Sequence, residues 1–150
     1  MESEYMKFIY FQVTLILTIL VLMWGCGSGG GMTPNEVVSK AASVSLIPSG
    51  NGEYVIQGDN MDGVAGIELT INYDSSALSS PTVTQGGLIS GALMRSNTTF
   101  VGTIRIAIVN TTPFSGSGQI DTVSFTSATG TGSVSIATVK MIDSKGAPIP

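Results

Sequence analysis

From Gly66 to Tyr73 the chain alternates without a break: Ile67, Leu69, Ile71 and Tyr73 are apolar, and Gly66, Glu68, Thr70 and Asn72 are small or polar. A period of two places successive side chains on opposite faces of an extended strand, whereas a helix needs a period near 3.6. The segment is therefore a strand buried on one side, and a second layer must cover that side. Ile104, Ile106 and Ile108 repeat the pattern against Thr103, Arg105, Ala107 and Val109, as do Val123 and Phe125 against Thr122 and Ser124. Ser133 to Ile142 starts the same way at Val134 and Ile136, then loses phase near Thr138, which predicts a bulge.

Shorter runs of the same kind cover Val44 to Ile47, Tyr54 to Gln57 and Pro81 to Gln85, and the longer ones extend over Phe100 to Asn110 and Gln119 to Thr126. Gly, Asn, Asp, Ser and Pro separate them, and no long helical pattern competes. Strands this short and this rich in Val, Ile and Thr predict an all-β jelly-roll sandwich of about eight to nine strands over residues 42–150. A domain of that size closes a core without disulfides or a structural metal.

The N-terminal quarter is different. Phe8 to Trp24 is apolar except for Gln12 and two threonines, a length of about 25 Å as a helix, against about 30 Å for a bilayer core. This suits a signal helix in residues 1–25 better than a full span. Glu2 and Glu4 outweigh Lys7 where a signal is normally positive, so translation from Met6 would give the more usual form. The single cysteine, Cys26, follows Leu22, Met23, Trp24 and Gly25 and precedes a glycine tract, so it cannot staple a fold. The site resembles a bacterial lipobox, although Trp24 stands where a small residue is usual. That resemblance implies lipidation at Cys26 and, because Gly27 and not Asp follows it, a surface or outer-membrane location in the bacterial cell envelope. An uncleaved signal anchor is the alternative. Residues 26–41, rich in Gly and containing Pro34, read as a flexible linker.

Charge and residue types exclude several functions. After Cys26 there are eight carboxylates and five cations without a basic run, which argues against nucleic acid. The chain has no His, and no Ser or Thr stands beside a recognisable base, so no catalytic residues are assigned and no enzyme is expected. Asp59, Asp62 and Glu68 are the densest acidic group. Asp59 to Gly63 echoes part of a calcium loop, but in the frame set by Gly63 the first and last ligand positions fall on Gly58 and Leu69. It reads as a turn, and no metal or cofactor is expected.

The order of these signals resembles the cohesin domain, over about Ala42 to Pro150. Ala65 to Leu78 (A-G-I-E-L-T-I-N-Y-D-S-S-A-L) is similar to the third strand of that family and its exit, with Asp74 capping a turn and Leu78 folding back onto the core. Gly87 and Leu88 resemble the next loop, Gly102 to Asn110 and Gly116 to Phe125 the central strands, and Gly132 to Ile136 with Asp143, Lys145, Gly146 and Ile149 the last part. The resemblance implies a non-catalytic module, sharing its jelly roll with carbohydrate-binding modules, that docks dockerins of polysaccharide-degrading assemblies. It places the partner-binding face on Glu68, Thr70 and Asn72, extended by Arg105 and Val109 if the two strands share a sheet, as an apolar centre rimmed by charge. Gly66 falls where a polar contact is common. Cohesins also close with one more strand after the segment matching Gly146 to Pro150, so either the domain lacks that edge strand, which would leave an open edge able to pair with another chain, or the chain is truncated.

Two other functions fit the same composition. Direct polysaccharide binding would use exposed rings, for which Tyr54, Phe100 and Phe114 are the candidates, Phe114 foremost because it follows Pro113 in a loop. A structural or adhesive surface subunit would use the sandwich as an assembly block.

Overall fold

The computed structural model describes residues 40–128 and 132–150. The start at Met6, the signal segment 1–25, Cys26 and the linker as far as residue 39 lie outside them. Nine strands follow in order: β1 Ser43–Gly50, β2 Glu53–Asp59, β3 Val64–Tyr73, β4 Leu78–Gln85, β5 Leu93–Asn97, β6 Thr103–Val109, β7 Gly118–Ala128, β8 Val134–Asp143 and β9 Pro148–Ile149. They form two sheets, one of four strands ordered β1-β2-β7-β4 and one of five ordered β5-β6-β3-β8-β9, with every pair antiparallel. The all-β sandwich expected from the alternation is the fold.

Strand β3 organises the five-stranded sheet because it has a full partner on each side. Ile67 pairs with Ile108 and Met141, Leu69 with Ile106 and Val139, and Ile71 with Ile104 and Ile136. All of these except Ile136 pack in the core, against Ile56, Ile120, Val123 and Phe125 of the other sheet. Three rings tie the layers at one end: the Phe125 ring lies 5.0 Å from Tyr73 of the facing sheet and 6.0 Å, edge to face, from Tyr54. Each buried aliphatic side chain contributes about 1.5–3 kcal/mol, so the period-two pattern itself drives closure.

The expected loss of phase in β8 is real. Its register against β3 shifts between Thr70 and Ile71, which pair with Thr138 and Ile136, leaving Ala137 as the extra residue. The bulge returns Val139 and Met141 to the core side. Strands β5 and β9 have no counterpart in the sequence reading: β5 is short, with a mostly exposed pattern, and β9 has two residues. Phe100 belongs to the turn before β6, whose Thr103 N–H donates to the Phe100 carbonyl at 3.1 Å.

Local chemistry sets the connections. Asn51 and Gly52, with φ of 54° and 75°, make the tight β1–β2 turn. Asp74 accepts the Ser76 N–H at 2.9 Å and the Ser76 hydroxyl at 2.6 Å, and Leu78 then turns inward. Asp143 accepts the N–H groups of Ala147 and Lys145, each at 2.8 Å, which holds its carboxyl below the usual carboxylate range and fixes the turn into β9. Gly86 is required by proximity, since a Cβ there would stand 2.4 Å from the Gln119 carbonyl oxygen. Strand β9 pairs only with Met141 and Ile142, so among the described residues no strand covers the outer side of Val134 to Lys140.

One residue contradicts the apolar interior. A shift between Ile56 and Gln57 in the β2–β7 register leaves Ile120 as an extra residue, so Ile120 and Asp121 are both fully buried. Neither carboxyl oxygen of Asp121 has a hydrogen-bond partner among the described residues. Burial raises its pKa from 3.8 to about 7, because the charged form loses its hydration. The native state therefore holds a proton that the unfolded chain gives up above pH 3.8. Stability should fall, by on the order of a few kcal/mol, as pH rises from about 4 to about 7, and then level off. Asp121→Asn should flatten this slope in denaturant titrations across that range; an unchanged slope would mean the carboxyl is hydrated in solution.

Candidate functional site

The outward positions of the five-stranded sheet form one continuous surface, built by the same alternation that builds the core. Its rows follow from the register. At one end Leu93 of β5 stands beside Val109 of β6, Gly66 of β3 and Ile142 of β8. The next row is Arg95, Ala107, Glu68 and Lys140, and the third is Asn97, Arg105, Thr70 and Thr138. Thr103 and Asn72 follow, the Thr103 hydroxyl reaching the Asn72 side-chain oxygen at 3.5 Å. All five residues expected on a partner-binding face, Glu68, Thr70, Asn72, Arg105 and Val109, lie on this surface.

Its character differs from the expectation in one respect. The apolar part is not central. Leu93, Val109 and Ile142 are exposed in the end row, and the Ile142 side chain leans over Gly66, where an added Cβ would come within 2.7 Å of it. Gly66 thus lets an isoleucine lie flat where a side chain would push it away. The middle rows are polar: Lys140 Nζ is 3.5 Å from Glu68 Oε2, an exposed pair worth at most about 1 kcal/mol. Arg105 lies 5.7 Å from the centroid of the Phe100 ring. Phe100 is 56% exposed and Val101 81%, so the far end of the face is apolar as well.

The ring candidates for sugar binding separate. Phe100 is exposed, as a platform ring must be. Phe114 is not the exposed loop ring that Pro113 suggests: only 5% of it meets solvent. Its N–H donates to the Val64 carbonyl at 2.7 Å, which draws the loop onto the end of β3, and its ring packs with the core. Tyr54 is half-buried against Phe125, and its hydroxyl donates to the Gly132 carbonyl at 3.2 Å. The three rings therefore do not share a surface.

The acidic group of the sequence also disperses. Asp62 accepts the Gly116 N–H at 3.1 Å, Glu68 is on the outer sheet face, and Met61 between Asn60 and Asp62 is fully buried with its N–H on the Gly116 carbonyl at 2.8 Å. Residues Asn60 to Gly63, just after β2, form a turn stitched to residues 116–117, with Asn60 and Gly63 at φ of 53° and 86°. Sequence reasoning missed Leu93, Arg95 and Ile142 as surface neighbours, since only β-sheet register brings β5 and β8 alongside β3.

No protein-family model matches the chain, and no curated protein matches it. Solved structures do, and they share a cohesin fold. A non-cellulosomal cohesin from the hyperthermophilic archaeon Archaeoglobus fulgidus superposes with a TM-score of 0.64 over 74% of this chain and 84% of its own, at 20% identity. The type II cohesin–X–dockerin complex from Acetivibrio cellulolyticus gives 0.61 over 72% and 90%, at 13% identity. A type I cohesin–dockerin complex from Clostridium thermocellum gives 0.62 over 74% and 92%, at 11% identity. The domain is cohesin-like in fold, as the order of its strands and turns implied.

Phe114→Ala should therefore act as a core truncation, lowering unfolding free energy by about 3–5 kcal/mol in denaturant titrations. A change below about 0.5 kcal/mol would return Phe114 to the surface.

Proposed function

We propose that this chain is a non-catalytic binding module that docks a protein partner of dockerin type on the outer face of its five-stranded sheet. The observation that carries this reading is the gathering of Glu68, Thr70, Asn72, Arg105 and Val109 on one solvent-facing surface of a fold shared with cohesins solved in complex with dockerins. The surface suits a protein: it offers flat aliphatic ground at Leu93, Val109 and Ile142, and charges beyond it. A direct grip on polysaccharide would need several coplanar rings, and among the described residues Phe100 is the one large exposed aromatic. Lipidation at Cys26, after removal of residues 1–25, would hold the module at the bacterial envelope and present the sandwich beyond its glycine-rich linker.

Thr70 lies in the middle strand of the face, where a large side chain would hold a partner away. Against an array of purified dockerin modules, Thr70→Trp should lower affinity about 100-fold or more, while Thr84→Trp, exposed on β4 of the other sheet, should leave it unchanged. Equal binding by both variants, or capture of no module by the wild type, would remove the reading. Mass spectrometry of the mature N-terminus tests the tether separately, with a diacylated or triacylated Cys26 expected and an unmodified, uncleaved N-terminus excluding it.

A further inference from the structure

The cations of this acidic molecule are gathered on one face. Arg95, Arg105 and Lys140 project from the outer side of β5, β6 and β8, and Glu68 is the one carboxylate among them. Elsewhere in the described residues Glu53, Asp59, Asp62, Asp74, Asp121 and Asp143 are accompanied only by Lys40 and Lys145. The face is thus positive on a chain whose net charge is −4. Glu68 already has Lys140 at 3.5 Å, which leaves the two guanidiniums as the excess.

Their placement is specific. Arg95 stands opposite Ala107, and Arg105 opposite Asn97, so the two arginines are diagonal neighbours with Cα atoms about 7–8 Å apart. Both side chains are exposed, and among the described residues neither meets a carboxylate. Arg105 lies over the Phe100 ring, 5.7 Å from its centroid. Asp74, next along β3 beyond Asn72, does not serve them, because its Oδ1 accepts the Ser76 N–H and hydroxyl. Like charges held side by side repel until a partner supplies the opposite sign, and a guanidinium binds a carboxylate through two parallel N–H donors.

Apolar ground brackets this pair. Leu93, Val109 and Ile142 lie at one end and Phe100 with Val101 at the other, the strand from Val109 to Thr103 spanning about 20 Å. A helix of about 13 residues has that length. Resting on the reading that this face is the docking surface, we infer that the partner meets it with an acidic protein segment, its carboxylates set against Arg95 and Arg105 and apolar side chains at either end. An acidic polysaccharide would satisfy the guanidiniums and leave both aliphatic ends uncovered.

The test uses the full-length protein and two helical peptides of about 15 residues. Both carry leucines at each end; one has glutamates in its central turns and its twin has lysines there. The glutamate peptide should bind at least about tenfold more tightly than the twin, and more weakly as salt rises. Arg95→Glu with Arg105→Glu should reverse the preference, and Arg95→Gln with Arg105→Gln should abolish it, with melting temperatures unchanged. Equal binding of the twins, binding of neither, a preference for lysine, or tighter binding of polygalacturonate than of the glutamate peptide would each overturn the inference. The dockerin array separates this from the docking reading: modules lost on Thr70→Trp but held equally by wild type and the charge-reversed protein would sink the acidic partner alone. Modules indifferent to Thr70→Trp would sink the docking face itself.

Discussion

Everything in this domain depends on burying the inner side of β3. Its Ile67, Leu69 and Ile71 meet apolar partners in both neighbouring strands and a second sheet above them. A strand that is hydrophobic on one side only has no stable state alone in water, so its alternation demands both lateral partners and a covering layer. Once those are supplied, the opposite side of the same strand is held rigid and wet. The outer face and the core are two sides of one element, and neither could be positioned without the other.

The strands whose inward residues are large and strictly alternating were legible in the sequence: β3, β6, β7 and the bulged β8. Burial decides such strands, and burial follows residue type. Strand β5 was not, because Leu93 faces solvent at 61% exposure and Arg95 and Asn97 continue that side, leaving Met94 as the one apolar signal for the interior. It is a strand because β6 offers it a ladder. Phe114 was misread for a related reason. Pro113 marks a loop, but no local rule says that Val64, far away in sequence, will accept the Phe114 N–H and draw its ring inward. Asp121 was in phase with Val123 and Phe125 all along, yet a carboxylate is a poor candidate for an inward position, and the bulge at Ile120 that surrounds it is invisible without the partner strand.

The face itself was half legible. Glu68, Thr70 and Asn72 follow from β3 alone, and Arg105 and Val109 follow once β6 is its neighbour. The charge character does not, since it arises from Arg95 and Lys140 on strands joined to β3 only through register. A composition that is acidic overall gave no hint of a positive surface. Gly66 acquires its meaning in the same way: in the sequence it is a missing side chain, and in the sheet it is the floor under Ile142.

The strict alternation along β3 and β6 also separates two kinds of hereditary constraint. Ile67, Leu69, Ile71 and Tyr73 of β3 answer to packing, whereas Glu68, Thr70 and Asn72 answer to whatever touches the protein from outside. Substitution in the second set leaves the apolar set untouched and costs the fold little. Solved frameworks at 11–20% identity superpose over nearly three quarters of this chain, a fold shared while most side chains differ.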